Sequence, residues 1–234
     1  MTAVEIIRSG KLGEPRIFSS DFTMQVRDED NIRLDADKGG GTLWDIGIYC
    51  INAARYLFRS EPVEVTACTA SRKDMRFEEV EEMAACTLRF PGDRLASFTC
   101  SFGAADVSTY RVIGTLGDLR VEPAYEYAEG LVHHLTIDGK TRERKFEKRD
   151  QFAPQLVHFS ECVLENREPE PSGREGLADV RIVEALYKSA KSGKPVSIEM
   201  QPPARRPSLA TEISRPPVKK PELVHATSPG GKES

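Results

Sequence analysis

Residues 39–49 read Gly39-Gly40-Gly41-Thr42-Leu43-Trp44-Asp45-Ile46-Gly47-Ile48-Tyr49, a glycine run opening into an amphipathic helix. The helical pattern continues to about Leu57, with Leu43, Ile46, Cys50, Ala53 and Leu57 on one stripe. Three glycines before a helix allow close backbone approach to a ligand and leave unbonded N–H groups at the helix start. Asp45 and Tyr49 stand four residues apart and share a helix face. A carboxylate near a helix N-terminus is favoured by the dipole and accepts hydrogen bonds from hydroxyls. A phenol one turn on can exchange a proton with a reacting oxygen. By spacing alone, the same two residues also fit a plain electrostatic choice and packing.

Upstream, residues 3–9 read as the last turns of a helix closed by Gly10. From Arg16 to Val26 the apolar residues Phe18, Phe22, Met24 and Val26 alternate with mostly polar ones, which predicts a strand with one buried face. Residues 27–41 are polar and glycine-rich. Downstream, strands are predicted at Val63–Ala70, Met83–Phe90, Leu95–Phe102, Tyr110–Gly114, Asp118–Val121, Leu131–Ile137 and Arg142–Phe146, with a Pro91-Gly92-Asp93 hairpin turn. They are short and closely spaced, without a helix between each pair, so antiparallel pairing fits better than parallel crossovers. Two helices follow. Phe152–Asn166 places Leu156, Phe159 and Val163 on a common face, and Gly176–Ser192 does so with Leu177, Val180, Val183 and Tyr187 before Gly193. A short strand is expected at Val196–Met200.

The totals narrow the field. The net charge is −4, and residues 201–234 hold six Lys/Arg against three Glu, so the body is more acidic than the whole. An acidic body argues against a nucleic-acid partner. No apolar run approaches the roughly 18 residues that span a bilayer, and the N-terminus lacks the pattern of a secretory signal. The five cysteines form no C-x-x-C pair, which argues against zinc and fits the cytoplasm. Seven of the 15 prolines fall within residues 202–229, so residues 201–234 are expected to be disordered or extended. Arg205, Arg206, Lys219 and Lys220 there read as a solvated linker.

Other polar residues carry less. His133 and His134 fall in one strand and point to opposite faces, which disfavours a shared metal. His158 is a candidate lining of a substrate pocket, although a lone helical histidine is more often structural. Tyr110 and Arg111, after a Gly103–Thr109 loop, are candidate contacts with no motif behind them.

The run GGGTLWDIGIY, followed by CINAARYLF and EPVEVTA, resembles the signature of the Gfo/Idh/MocA (glucose–fructose oxidoreductase/inositol dehydrogenase) family. So do KLGEPRIFSSDF upstream, VIGTLGDLRVEPAYEY downstream and the tail ARRPSLATEISRPPVKKPELVHA, so the likeness covers essentially the whole chain. The resemblance implies an α+β C-terminal domain: a large open, mostly antiparallel β-sheet with helices on one face and a homo-oligomer interface on the other. It implies hydride exchange between NAD or NADP and a secondary hydroxyl, or the matching carbonyl, of a sugar or polyol. It puts the family's substrate-binding Asp at Asp45 and its acid/base at Tyr49, as in the glucose–fructose oxidoreductase branch. Gly40 and Gly41 would help shape the active-site wall.

Two family features have no counterpart. A G-x-G-x-x-G fingerprint fails at Gly39–Gly41 because Trp44 stands where the last glycine belongs. A Glu-Lys-Pro motif fails as well: Gly193 precedes Lys194-Pro195, and Arg149 follows Glu147-Lys148. The expectation is therefore a chain that starts just after the nucleotide domain. Residues 1–14 would be a remnant of the inter-domain helix, residues 15–200 the C-terminal oxidoreductase domain and residues 201–234 a Pro-rich tail. A phenol is a poor base at neutral pH without a neighbouring cation, and the family lysine would be that cation. The isolated chain is accordingly expected to lack dehydrogenase activity. The alternative is a non-catalytic sugar-binding or oligomerisation module.

Overall fold

The computed structural model describes residues 1–125, 130–200, 206–209 and 212–216. Among these, the strands form one nine-stranded sheet. The strands are β1 (Pro15–Gln25), β2 (Glu64–Ala70), β3 (Met83–Phe90), β4 (Arg94–Ser101), β5 (Gly103–Gly114), β6 (Gly117–Val121), β7 (Leu131–Ile137), β8 (Lys140–Phe146) and β9 (Val196–Ser197). Their order is β8-β7-β6-β5-β1-β4-β3-β2-β9. The β1–β4 pair is parallel and the other neighbours are antiparallel. The segment read as a Gly103–Thr109 loop is instead the first half of β5. It pairs with β1 from Thr23↔Val107 onward and reaches Gln25↔Gly103 after a register shift. Its exposed small residues hide the strand from a periodicity reading.

Alternation decides the layers. In β3, Ala84, Cys86, Leu88 and Phe90 are buried while Met83, Ala85, Thr87 and Arg89 are exposed. In β4, Ala96, Phe98 and Cys100 continue the buried face, and in β1 Phe18 and Ser20 do. The helices α1 (Thr2–Arg8), α2 (Ile48–Phe58) and α4 (Gly173–Ser192) lie on this side, with α2 against β1 and α4 against β2 and β9. The opposite face stays open across β1, β4, β3 and β2, where Ser19, Ser97, Thr87 and Thr66 line up in register. Cys50, Cys86, Cys100 and Cys162 are buried and Cys68 is exposed on that open face.

Two helices show what an apolar stripe leaves open. Helix α3 (Phe152–Leu164) carries Leu156, Phe159 and Val163 on one face as expected, yet they are 70%, 59% and 65% exposed. Periodicity shows that a face is apolar, not what covers it. In α4 the buried face is rotated: Leu177 is exposed, whereas Glu175 and Asp179 are buried with Ile182, Val183 and Leu186. The two carboxylates face the fully buried Arg55 of α2, whose Nη2 lies 3.0 Å from Glu175 and whose Nη1 lies 2.5 Å from Asp179. Arg55 Nε also donates to Glu61 at 2.6 Å. Arg206, read as solvated linker, joins this cluster: it donates to Glu61 at 2.5 Å and to the Arg55 carbonyl at 3.1 Å. Arg205, Lys219, Lys220 and most of the tail lie outside the described residues.

Candidate active site

The backbone ahead of Asp45 is folded back on itself. A 3₁₀ turn at Ile32–Leu34 is capped by Asn31, and a second at Ala36–Lys38 is capped by Asp35. Gly40 N donates to Asp35 O at 2.8 Å and Gly41 N to Arg33 O at 3.0 Å. Leu43 N donates to Glu81 Oε1 at 3.2 Å. The Gly40, Gly41 and Leu43 N–H groups, expected to be free for a ligand, are thus bonded within the protein. The close approach that needs glycine is also internal. A Cβ on Gly40 would stand 2.5 Å from Arg33 O, and one on Gly41, whose φ is +121°, would stand 2.6 Å from the Tyr187 hydroxyl.

Residues Leu43–Gly47 form a single π turn that runs directly into α2. Such turns are rare and recur at functional sites. Asp45 sits within this turn and is held by Arg33, whose Nε donates to Asp45 Oδ2 at 2.6 Å, each side chain being 31% exposed. Asp45 Oδ1 takes no part in that pair. Tyr49, in the first turn of α2, is 49% exposed. Its ring meets Phe22 edge-on at 5.6 Å and Tyr125 at 6.0 Å. Phe22 and Tyr125 stack at 5.1 Å, and Tyr110 lies 5.9 Å from Tyr125.

This aromatic wall is fixed from behind. Ser20 Oγ lies 2.8 Å from the Tyr125 hydroxyl and donates to Thr109 O at 2.8 Å. Burial holds the Tyr110 and Tyr125 phenols well above their ordinary range and pushes the Cys50 thiol up to about 12. These three groups stay protonated at neutral pH and serve as packing, not as bases.

The remaining candidates separate. Tyr110 belongs to the wall, but Arg111 turns to the open face and pairs with Asp118 at 2.6 Å. His158 on α3 accepts from Glu170 N at 3.1 Å and lies 3.6 Å from Cys162 Sγ. No residue of the Asp45 turn is among its bonded partners. His133 and His134 do face opposite ways: His133 is buried against Phe146, and His134 lies 3.7 Å from Glu143. Sequence reasoning missed Arg33 and Glu81, which sit in stretches with no periodic signal. It took Tyr187 only as part of an apolar stripe.

Comparison with known proteins follows the same outline. Residues 1–120 match the family described as the GFO/IDH/MocA C-terminal domain. The chain is 33% identical over 202 residues to D-xylose 1-dehydrogenase [NADP(+)] of Haloarcula marismortui, covering 84% of this chain and 56% of that protein. Among solved structures it resembles the aldose–aldose oxidoreductase of Caulobacter crescentus complexed with glycerol, with a TM-score of 0.78 and 38% identity over 84% of this chain and 59% of that one. It also resembles a 3-ketoreductase of Actinomadura kijaniata in complex with NADP and TDP-benzene, with a TM-score of 0.72 and 25% identity over 80% and 57% of the two chains. The chain thus spans somewhat over half the length of these relatives.

Proposed function

The chain belongs to the GFO/IDH/MocA oxidoreductase family, and from that premise we propose that it is the substrate-side half of an NADP-dependent sugar oxidoreductase. The reaction joins a secondary hydroxyl of a sugar or polyol to the corresponding carbonyl. The observation that carries this reading is that one helical run holds both Asp45, anchored by Arg33, and a half-exposed Tyr49 set against an aromatic wall. In this reading Asp45 accepts from a sugar hydroxyl and the Tyr49 phenol exchanges the proton at the reacting oxygen. Aromatic rings beside such polar groups suit the apolar face of a sugar. An aldose is the substrate class most in keeping with the relatives' names, so D-xylose is the probe of choice.

Among the described residues no dinucleotide cradle is built. The glycine N–H groups before the Asp45 turn are bonded within the protein, and the sequence holds no G-x-G-x-x-G. We therefore assign the nicotinamide carrier to a separate dinucleotide-binding domain, together with the cation that a phenol needs to act as a base near neutral pH. The open sheet face, with its register-aligned row of small Ser and Thr side chains, is the surface we assign to pairing with a second copy. The free cysteines suit a reducing compartment such as the cytoplasm. Among the described residues no helix is long and apolar enough to cross a membrane.

The test is D-xylose oxidation with NADP, measured for the chain alone and for the chain joined to the dinucleotide-binding domain of the Haloarcula dehydrogenase. Turnover is expected only in the joined form. Tyr49→Phe should lower kcat by roughly 10²-fold or more, and Asp45→Asn should raise KM. Turnover by the chain alone would overturn the half-enzyme reading. A joined form that binds NADP but oxidises no sugar would favour a non-catalytic sugar-binding module.

A further inference from the structure

We propose that Tyr187 is a positioning residue for the turn that carries Asp45 and Tyr49, acting through the Glu81 carboxylate. The proposal rests on reading that turn as the sugar site. Three donors converge on one oxygen: Glu81 Oε1 accepts from Thr42 Oγ1 at 2.6 Å, from Leu43 N at 3.2 Å and from the Tyr187 hydroxyl at 2.9 Å. Thr42, the residue that precedes the π turn, makes no side-chain cap bond of its own. The cap is delivered instead by a residue just ahead of β3, and that residue is fixed in turn by a phenol from α4.

The contact is tight on the backbone side as well. The space that a Gly41 Cβ would occupy lies 2.6 Å from the Tyr187 hydroxyl and 3.4 Å from Glu81 Oε1. The Trp44 ring lies 5.9 Å from the Tyr187 ring. The turn is therefore gripped at its start by Tyr187 and Glu81, while Arg33 holds its middle through Asp45. A π turn is the less regular form of helix, so the aim of its side chains depends on how its ends are fixed. A displacement of about 1 Å at a reacting group can cost about 10²-fold in rate. Burial, reinforced by the Glu81 charge, holds the Tyr187 phenol far above its ordinary range. It therefore donates throughout the working range and does not itself transfer protons.

Trp44 is the chain's single tryptophan, so its fluorescence reports on the turn directly. The experiment compares acrylamide quenching of Trp44 and D-xylose titration in the 234-residue chain with those in Tyr187→Phe. Loss of the hydroxyl should make Trp44 more accessible to quencher and weaken D-xylose binding about ten-fold. Glu81→Gln, which keeps the shape and one acceptor oxygen, should fall between the two. Ser189→Ala is the control on the same helix, because Ser189 Oγ accepts from Ala67 N and donates to Lys194 O, away from the turn. It should lower the melting temperature and leave both Trp44 readouts unchanged. If Tyr187→Phe behaves like Ser189→Ala, the positioning role is overturned. If the wild-type chain shows no saturable response to D-xylose, the sugar-site reading fails instead. Trp44 quenching then still decides whether Tyr187 holds the turn.

Discussion

His133 is 6% exposed on β7, its ring lies 4.5 Å from Phe146, and its Nδ1 has no hydrogen-bond partner among the described residues. Burial, helped by the positive charges of the chain N-terminus, Arg144 and His134, pulls its pKa from 6.5 down to about 4. The sign follows from which state binds the proton. Between 6.5 and about 4 the unfolded chain is protonated at this residue and the native chain is not, so stability falls as the pH drops through that window. Below about 4 both states are protonated and the loss levels off. His133→Phe should flatten the dependence, as measured by urea midpoints at pH 7 and pH 4.5; a variant that keeps the wild-type slope would refute this. At this scale the sequence was informative where chemistry is local. Asp45 and Tyr49 stand in one short run, and the alternation of His133 and His134 needs only strand geometry. Arg33, Glu81 and Tyr187 reach the same turn from 12, 38 and more than 100 residues away, and no local pattern encodes such convergence.

The elements were legible in kind and less so in phase. Helix α4 was read with Leu177 in its apolar stripe, but Leu177 is exposed and the helix turns Glu175 and Asp179 inward to meet Arg55. Hydropathy counts a carboxylate as a surface residue, so a pattern search rotates the helix away from its true buried face. Arg55 ties α2 to α4 and, through Glu61, to the segment that follows α2. Removing it would leave Glu175 and Asp179, 4% and 8% exposed, without their cation, while Glu61 keeps Arg206. Arg55→Met should therefore destabilise the fold by about 3–5 kcal/mol, as in other buried ion clusters that lose one partner. Denaturant unfolding checks this, and a loss below about 1 kcal/mol would mean that the carboxylates find other partners or take up protons. Helix α3 teaches a different lesson. Its apolar stripe was read correctly, yet Leu156, Phe159 and Val163 face outward.

For the molecule as a whole, the open sheet face is the feature with the widest reach. If two copies pair there, the row Ser19, Ser97, Thr87 and Thr66 lies at the interface, where small side chains permit close contact. Replacing Ser97 and Thr87 together by Lys should shift sedimentation from dimer to monomer while circular dichroism stays that of the wild type. A dimer that survives both lysines would remove this face from consideration. The mostly antiparallel sheet was legible from short, closely spaced strands, but the parallel β1–β4 pair was not, since alternation looks the same in either direction. That pair also governs the order of assembly. β1 ends at Gln25, but its two neighbours are β4 and β5, which end at Ser101 and Gly114. On a ribosome adding about 5–20 residues per second, the central strand waits on the order of 5–20 s before either edge is covered. The middle of the sheet thus closes only after β2, β3 and β4 have been made, and the nascent chain is most vulnerable to stray pairing at the strand that later becomes its centre.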